Sequence, residues 1–284
     1  MKKYIVIYNP YSGNKTGKER SETLKESLKE DELNFVDITT ITSYKDFFEK
    51  KDPEAEIIIC GGDGTLNRFV NEADGCYNGQ IINYFPSGSG NDFAHELGKE
   101  DTRVPFRINE YLTDLPVVTI DGKDHKFLNG IGYGIDGYCC EVGDKLRETT
   151  DKPINYAGIA IKGLLFHYKP TNAKVVCDGA EYNYKKVWLA PTMNGKCYGG
   201  GMMPTPDQDR LAEDRKVSTM LMFGSGKLKT LMIFPSIFKG EHISHAECVN
   251  VLTGNTITVS FDRPTALQID GETVLGVTEY TVRK

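Results

Sequence analysis

The residues best suited to chemistry are the run Gly61-Gly62-Asp63-Gly64-Thr65 and, far along the chain, the triplet Asp270-Gly271-Glu272. The first follows the apolar stretch Ile57-Ile58-Ile59, which reads as a buried strand, and precedes a segment over 68–73 that reads as a helix. Three glycines between a strand and a helix let backbone N–H groups approach an anion closely. The one carboxylate among them, Asp63, would repel a phosphate unless a cation stood between. The economical reading is a loop for a metal-bound nucleotide phosphate; the plain alternative is a tight turn with one glycine at positive φ. Asp-Gly pairs recur at Asp74, Asp121 and Asp178, where they read as turns. The copy at Asp270 differs by adding Glu272. Two carboxylates on one turn suit a phosphoryl transfer in which a hydroxyl must be oriented or relieved of its proton.

These residues need a scaffold. The first hundred residues alternate strand (4–8, 35–40, 57–60, 81–85) with helix (18–30, 44–51, 65–73, 91–97). Such alternation builds a parallel sheet with right-handed crossovers. It sends the loops after the first, third and fourth strands to one sheet edge, where open α/β sheets bind ligands. Those loops are Asn9-Pro10-Tyr11-Ser12-Gly13-Asn14, Gly61–Thr65 and Pro86-Ser87-Gly88-Ser89-Gly90-Asn91-Asp92. From about residue 115 the pattern becomes alternating strands and Asp-Gly hairpins, at 116–128, 173–190, 217–223, 249–252, 256–261 and 266–269. Helical segments over 136–147 and 154–167, and an apolar segment over 229–238, interrupt them. The expected fold is an α/β domain over 1–115 and a β-rich domain over 116–277, with a last strand near 278–284 returning to the first domain.

Composition bounds the function. With 284 residues, 26% charged and 39% hydrophobic, the chain can bury ample core. Net charge −6 argues against nucleic-acid binding. No stretch is apolar enough to span a bilayer, and the start lacks a secretory apolar region. The expected location is the cytoplasm, with peripheral contact at the inner membrane face at most. The seven cysteines include no Cys-x-x-Cys pair and read as reduced thiols. His242 and His245 fall in a segment that reads better as a strand than as a metal-binding helix face.

Taken in order, the motifs resemble the diacylglycerol kinase catalytic-domain family, which includes bacterial soluble lipid kinases and sphingosine kinases. The matching runs are Asn9–Gly13, Gly61–Thr65 with Asn67 and Asn71-Glu72, Pro86–Ala94, Phe127–Asp136, Gly199–Met202 and Asp270–Glu272. The resemblance implies a three-layer α/β domain with parallel sheet, a second antiparallel β-sandwich domain, and ATP in the cleft between them. It implies that Asn9, Ser12, Gly13, Gly61, Gly62, Asp63, Gly64, Thr65, Gly88, Ser89, Asn91 and Asp92 hold or brace the nucleotide, with Asp63 near Mg2+. Asp270 is then the general base, assisted by Glu272, and the acceptor is a lipid hydroxyl at a membrane surface. The family usually has Thr at Ser89. Asp214 is offered to a structural magnesium ion, although Arg215 stands where the family has glycine. A homodimer is the default association for such a fold. Two other readings stand: an NAD kinase-like enzyme with a soluble acceptor, and a non-catalytic, nucleotide-regulated lipid-binding protein.

Overall fold

The computed structural model describes residues 1–150 and 154–284, which form two compact units, Met1–Asp114 and Leu115–Lys284. Unit 1 carries a five-stranded sheet: β1 (Lys3–Tyr8), β2 (Glu32–Asp37), β3 (Glu56–Gly61), β4 (Ile82–Pro86) and β5 (Phe106–Arg107). The spatial order is β2-β1-β3-β4-β5; the first four are parallel and β5 runs antiparallel to β4. Strands β1 and β3 are apolar along their centres because both sheet faces are covered. Tyr4, Val6, Ile58 and Cys60 pack with Leu24 and Phe85 on one face, while Ile5, Ile7, Ile57 and Ile59 are buried facing the other way. The helices are α1 (Gly17–Glu22), α2 (Tyr44–Lys50), α3 (Asp63–Glu72) and α4 (Asp92–Glu96). The long helix expected over 18–30 is shorter. It ends at Glu22 and is followed by a separate turn, Leu24–Ser27.

Strand order reverses between β1 and β3, since β2 lies beyond β1 and β4 beyond β3. This is the switch point at which the two connecting segments diverge and leave a crevice at the strands' carboxyl ends. The loops after β1 and β3 begin there.

Unit 2 is an antiparallel sandwich. Its strands are β6 (Val117–Ile120), β7 (Lys123–Lys126), β8 (Gly130–Tyr133), β9 (Thr171–Cys177), β10 (Ala180–Val187), β11 (Thr192–Met193), β12 (Val217–Met222), β13 (Val249–Gly254), β14 (Thr256–Ile269) and β15 (Glu272–Arg283). One path runs β13-β12-β11-β8-β14-β15-β6-β7, and β9 joins β10 to β14. The two strands expected over 256–261 and 266–269 are one. Its register with β15 shifts between Ser260 and Leu267, and the bulged stretch holds Pro264, which has no N–H to give a ladder. β15 pairs with β14 and β6, so the C-terminal strand, expected in the first domain, belongs to this sheet.

Every residue of β12 is buried because it packs on both sides. Val217 and Leu221 enter the sandwich core with Phe127, Tyr133 and Val259, whereas Met220 and Met222 meet a helical layer. That layer comprises α5 (Ile135–Arg147), α6 (Tyr156–Lys162) continued by a π turn (Gly163–His167), and α7 (Lys227–Ile233) continued by a 3-10 turn (Phe234–Lys239). Among the described residues no helix is long and apolar enough to cross a membrane. Glu241–Ser244, expected as a strand, is a 3-10 turn.

Candidate functional site

Three loops meet at the carboxyl edge of the unit 1 sheet. Asn9 anchors the first: its Nδ2 donates to Thr65 Oγ1 at 2.9 Å, and its backbone N–H donates to the Cys60 carbonyl oxygen at 3.2 Å. Ser12 turns the chain by donating Oγ to the Asn9 carbonyl oxygen at 2.9 Å. Gly13 adopts φ 57°, and a Cβ there would lie 2.7 Å from the Ser87 carbonyl oxygen, so the first loop packs directly on the third. Arg20 Nη1 locks the same contact by donating to the carbonyl oxygens of Ser87 at 3.2 Å and Gly88 at 3.1 Å. The second and third loops touch glycine to glycine: a Cβ on Gly88 would stand 2.3 Å from Gly62 Cα. Asn91, at φ 50°, closes the third loop by accepting from the Gly88 N–H and donating to the Gly88 carbonyl oxygen. Ser89 and Gly90 lie exposed at its tip.

The glycine run becomes the N-terminus of α3. The helix's first bond joins the Leu66 N–H to the Gly62 carbonyl oxygen, which leaves the N–H groups of Asp63, Gly64 and Thr65 outside the helical ladder. Gly64 is exposed, and a Cβ there would meet nothing within 4 Å. A ten-residue helix with an open glycine at its first turn has the geometry and dipole that suit an anion.

Asp63 ties the second loop to α4, its Oδ2 accepting from the Asp92 N–H and its Oδ1 from the Phe93 N–H, both at 2.9 Å. Asp92 itself is buried. Oδ2 of Asp92 and Oδ2 of Asp63 lie 3.6 and 3.7 Å from the point where a Gly90 Cβ would sit, so two carboxylates border one small space beside the glycine loops. This donor set fits a hard cation that keeps most of its waters and takes further oxygens from phosphates, as Mg2+ does. It is not a closed cage: among the described residues no group of three His, Cys, Asp or Glu side chains is placed to hold an ion. Asp214 fits a metal poorly. It is exposed, and its Oδ2 lies 3.2 Å from Lys216 Nζ, so a cation already stands beside it.

In unit 2, Asp270 occupies the β14–β15 turn at φ 45°. Its carboxylate is buried and gripped by backbone N–H groups from the start of β8. Leu128 N–H donates to Oδ2 at 2.5 Å, and the N–H groups of Asn129 and Gly130 donate to Oδ1 at 2.9 Å. The Asp270 N–H donates in return to the Gly130 carbonyl oxygen at 3.0 Å. Gln268 Oε1 accepts from the Gly271 N–H and completes the turn. Glu272, next along, is exposed. Asp270 and Glu272 thus differ sharply: the first is a fixed acceptor, the second a solvated one.

Other polar residues of unit 2 are buried as well. Arg210 is buried, with its guanidinium donating to the Leu128 carbonyl oxygen and to Asn129 Oδ1. Asp136, at the start of α5, is also buried and accepts from the Tyr198 hydroxyl. Burial pushes the Asp136 carboxyl up to about 7, with the Tyr198 hydrogen bond pulling the other way. His242 is buried against the Pro204 carbonyl oxygen, and burial lowers its basicity.

The N-terminal fold, with its glycine loops at a topological switch point, and the sandwich that follows define a two-domain class of α/β-plus-sandwich proteins. Residues 3–113 match the diacylglycerol kinase catalytic domain, and residues 129–283 match the YegS C-terminal NAD kinase beta sandwich-like domain. The chain belongs to the diacylglycerol kinase catalytic-domain family in its two-domain form. A diacylglycerol kinase of Mycobacterium tuberculosis is 27% identical over 216 residues, covering 73% of this chain and 67% of the relative. A diacylglycerol kinase of Bacillus subtilis is 25% identical over 283 residues, covering 96% and 90%. A crystal structure titled as a diacylglycerol kinase of Bacillus anthracis superposes with a TM-score of 0.60 at 18% identity, covering 99% of this chain and 93% of the other; that likeness concerns the fold.

Proposed function

We propose that this protein transfers the γ-phosphoryl group of ATP to a lipid hydroxyl, with diacylglycerol the leading acceptor and a phosphatidate-type product. The observation that carries the reading is the open α3 terminus at Gly62–Thr65, set beside the Asp63 and Asp92 carboxylates at the β1/β3 switch point. Backbone N–H groups there would bind the nucleotide phosphates, and the braces from Asn9, Ser12, Gly13, Gly88 and Asn91 would keep them aimed. Asp63 and Asp92 would hold Mg2+, which when bound supplies neutralising charge to the phosphate oxygens. Asp270 would accept the hydrogen bond of the acceptor hydroxyl and take its proton as the oxygen attacks. Phosphoryl transfer has a loose transition state, so alignment of the hydroxyl matters more than base strength, and a carboxylate fixed by three N–H donors supplies alignment. Glu272, solvated on the same turn, would assist by accepting the proton onward.

The test is γ-labelled ATP with a panel of diacylglycerol, monoacylglycerol, sphingoid base, isoprenoid alcohol and NAD, with Asp270→Asn as control. Label appearing in a lipid product and lost in the variant upholds the reading. Label in NAD, or tight ATP binding with no acceptor labelled, overturns it.

A further inference from the structure

We propose that Arg210 is a positioning residue for Asp270, acting through the peptide groups at 128–130; the proposal rests on the kinase reading of Asp270. The peptide joining Leu128 to Asn129 lies between two charges. Its carbonyl oxygen accepts from Arg210 Nη1 at 3.0 Å and from Asn194 Nδ2 at 2.8 Å, and its N–H donates to Asp270 Oδ1 at 2.9 Å. The next peptide repeats the pattern: the Asn129 carbonyl oxygen accepts from the backbone N–H groups of Asn194 and Gly195 at 2.9 and 3.1 Å, and the Gly130 N–H donates to the same Oδ1. Arg210 Nη2 also donates to Asn129 Oδ1 at 3.1 Å. A cation on the carbonyl side and an anion on the N–H side polarise a peptide in the same sense, so each hydrogen bond strengthens the next. All of this is dry. Arg210 is 4% exposed, Asn129 2%, Asn194 3% and Asp270 8%.

The guanidinium is suited to this task because its planar fork meets a carbonyl oxygen and a side-chain oxygen on consecutive residues at once. It thereby fixes the 128–130 backbone, which in turn fixes both Asp270 oxygens. Lysine would keep the charge and lose the fork.

The experiment uses Arg210→Gln and Arg210→Lys in the full chain, with Asp270→Asn for reference. Turnover and KM for ATP are measured with diacylglycerol, and the amide proton shifts of Asn129 and Gly130 are read in 15N-labelled protein. Arg210→Gln should lower kcat about 10- to 100-fold, the usual loss when a reacting group drifts by about an ångström. KM for ATP should stay within about twofold, because the nucleotide loops are untouched. Both amide signals should move upfield, in the same direction as expected for Asp270→Asn, and Arg210→Lys should lie between. Unmoved amide signals in folded Arg210→Gln overturn the proposal. So does an equal loss of kcat in a core variant of matched melting temperature such as Val175→Ala. Should Arg210→Gln not fold, Arg210→Lys carries the same two readouts. If Asp270→Asn retains full turnover, the kinase role of Asp270 fails on its own, and the amide shifts still decide whether Arg210 holds it.

Discussion

Asp63 and Asp270 share a design that their motifs hint at without revealing. Each carboxylate is held by backbone N–H groups of a segment distant in sequence, at 92–93 for Asp63 and 128–130 for Asp270. A Gly-Asp-Gly or Asp-Gly-Glu triplet shows a carboxylate on a turn; the donors that hold it come from another loop and carry no side-chain signature. Asp270→Asn replaces one oxygen with an NH2 group that must then face an N–H donor. Turnover should fall about 10²- to 10⁴-fold, and stability by about 1–3 kcal/mol from the unmade bond. ATP binding, measured by calorimetry, should be nearly unchanged, since the loops proposed for it lie in the other unit. Asp136 makes a separate prediction. Its folded carboxyl titrates near 7, above the ordinary 3.8, so between these values the folded state holds a proton that the unfolded chain has lost. Stability should therefore fall as pH rises from about 4 to about 7, by at most about 1.4 kcal/mol per pH unit, and level off above. Asp136→Asn should flatten that slope in urea melts. A variant that keeps the slope would place its origin elsewhere.

Elements with one strong period were legible, and those shaped by tertiary packing were not. The first four strands of unit 1 and the hairpins at Asp121 and Asp178 in unit 2 follow from apolar runs bounded by turn residues. Strand β8, Gly130-Ile131-Gly132-Tyr133, has no legible period because two glycines dilute its pattern. They are there because Gly132 lies against Asp136 and Gln268, and Gly130 against Met193. The continuity of β14 through its bend is not legible, since Asp262, Arg263 and Pro264 read as a break. Two glycines test the difference between space kept for packing and space kept for a ligand. A Cβ on Gly137, in α5, would stand 1.8 Å from the Ala266 carbonyl oxygen on β14, backbone against backbone. Gly137→Ala should push helix and strand apart and lower stability by about 1–3 kcal/mol, the usual cost of overpacking, read as a fall in melting temperature. Gly64 has nothing within 4 Å of its Cβ position and a backbone any residue can adopt. Gly64→Ala should leave stability unchanged or raise it by about 0.4–1 kcal/mol, yet weaken ATP binding, because the new methyl would occupy the approach of the phosphates. Equal ATP affinity in that variant would remove the phosphate from the α3 terminus.

At the scale of the whole molecule, the proposed lipid-kinase function would require a chain of net charge −6 to reach an interface that is commonly anionic. Repulsion between the protein's net charge and such a surface is screened beyond about 10 Å at ordinary salt, so the local surface that touches lipid decides the outcome. One region of unit 2 is suited to it. Leu228 and Met232, about three-quarters exposed and one helical turn apart, share a face of α7. Lys227 Nζ donates to the Leu165 carbonyl oxygen at 2.8 Å, which draws α7 to the π turn that carries exposed Phe166. Ile161 and Phe238 are exposed on the same two helical segments, and exposed Lys162, Lys227 and Lys239 accompany them. Burying a large apolar side chain is worth about 1.5–3 kcal/mol, so three or four of them outweigh a modest, screened repulsion. The lysines add a preference for anionic headgroups that salt should weaken. Leu228→Ser with Met232→Ser should therefore reduce sedimentation with diacylglycerol-containing anionic vesicles about tenfold or more, from the loss of two buried side chains. Turnover on a dispersed short-chain diacylglycerol should stay at the parent value, because neither residue belongs to the nucleotide loops or to the Asp270 turn. Unchanged sedimentation would move the membrane contact to another face, and a matching loss on the dispersed substrate would make this face part of the acceptor site.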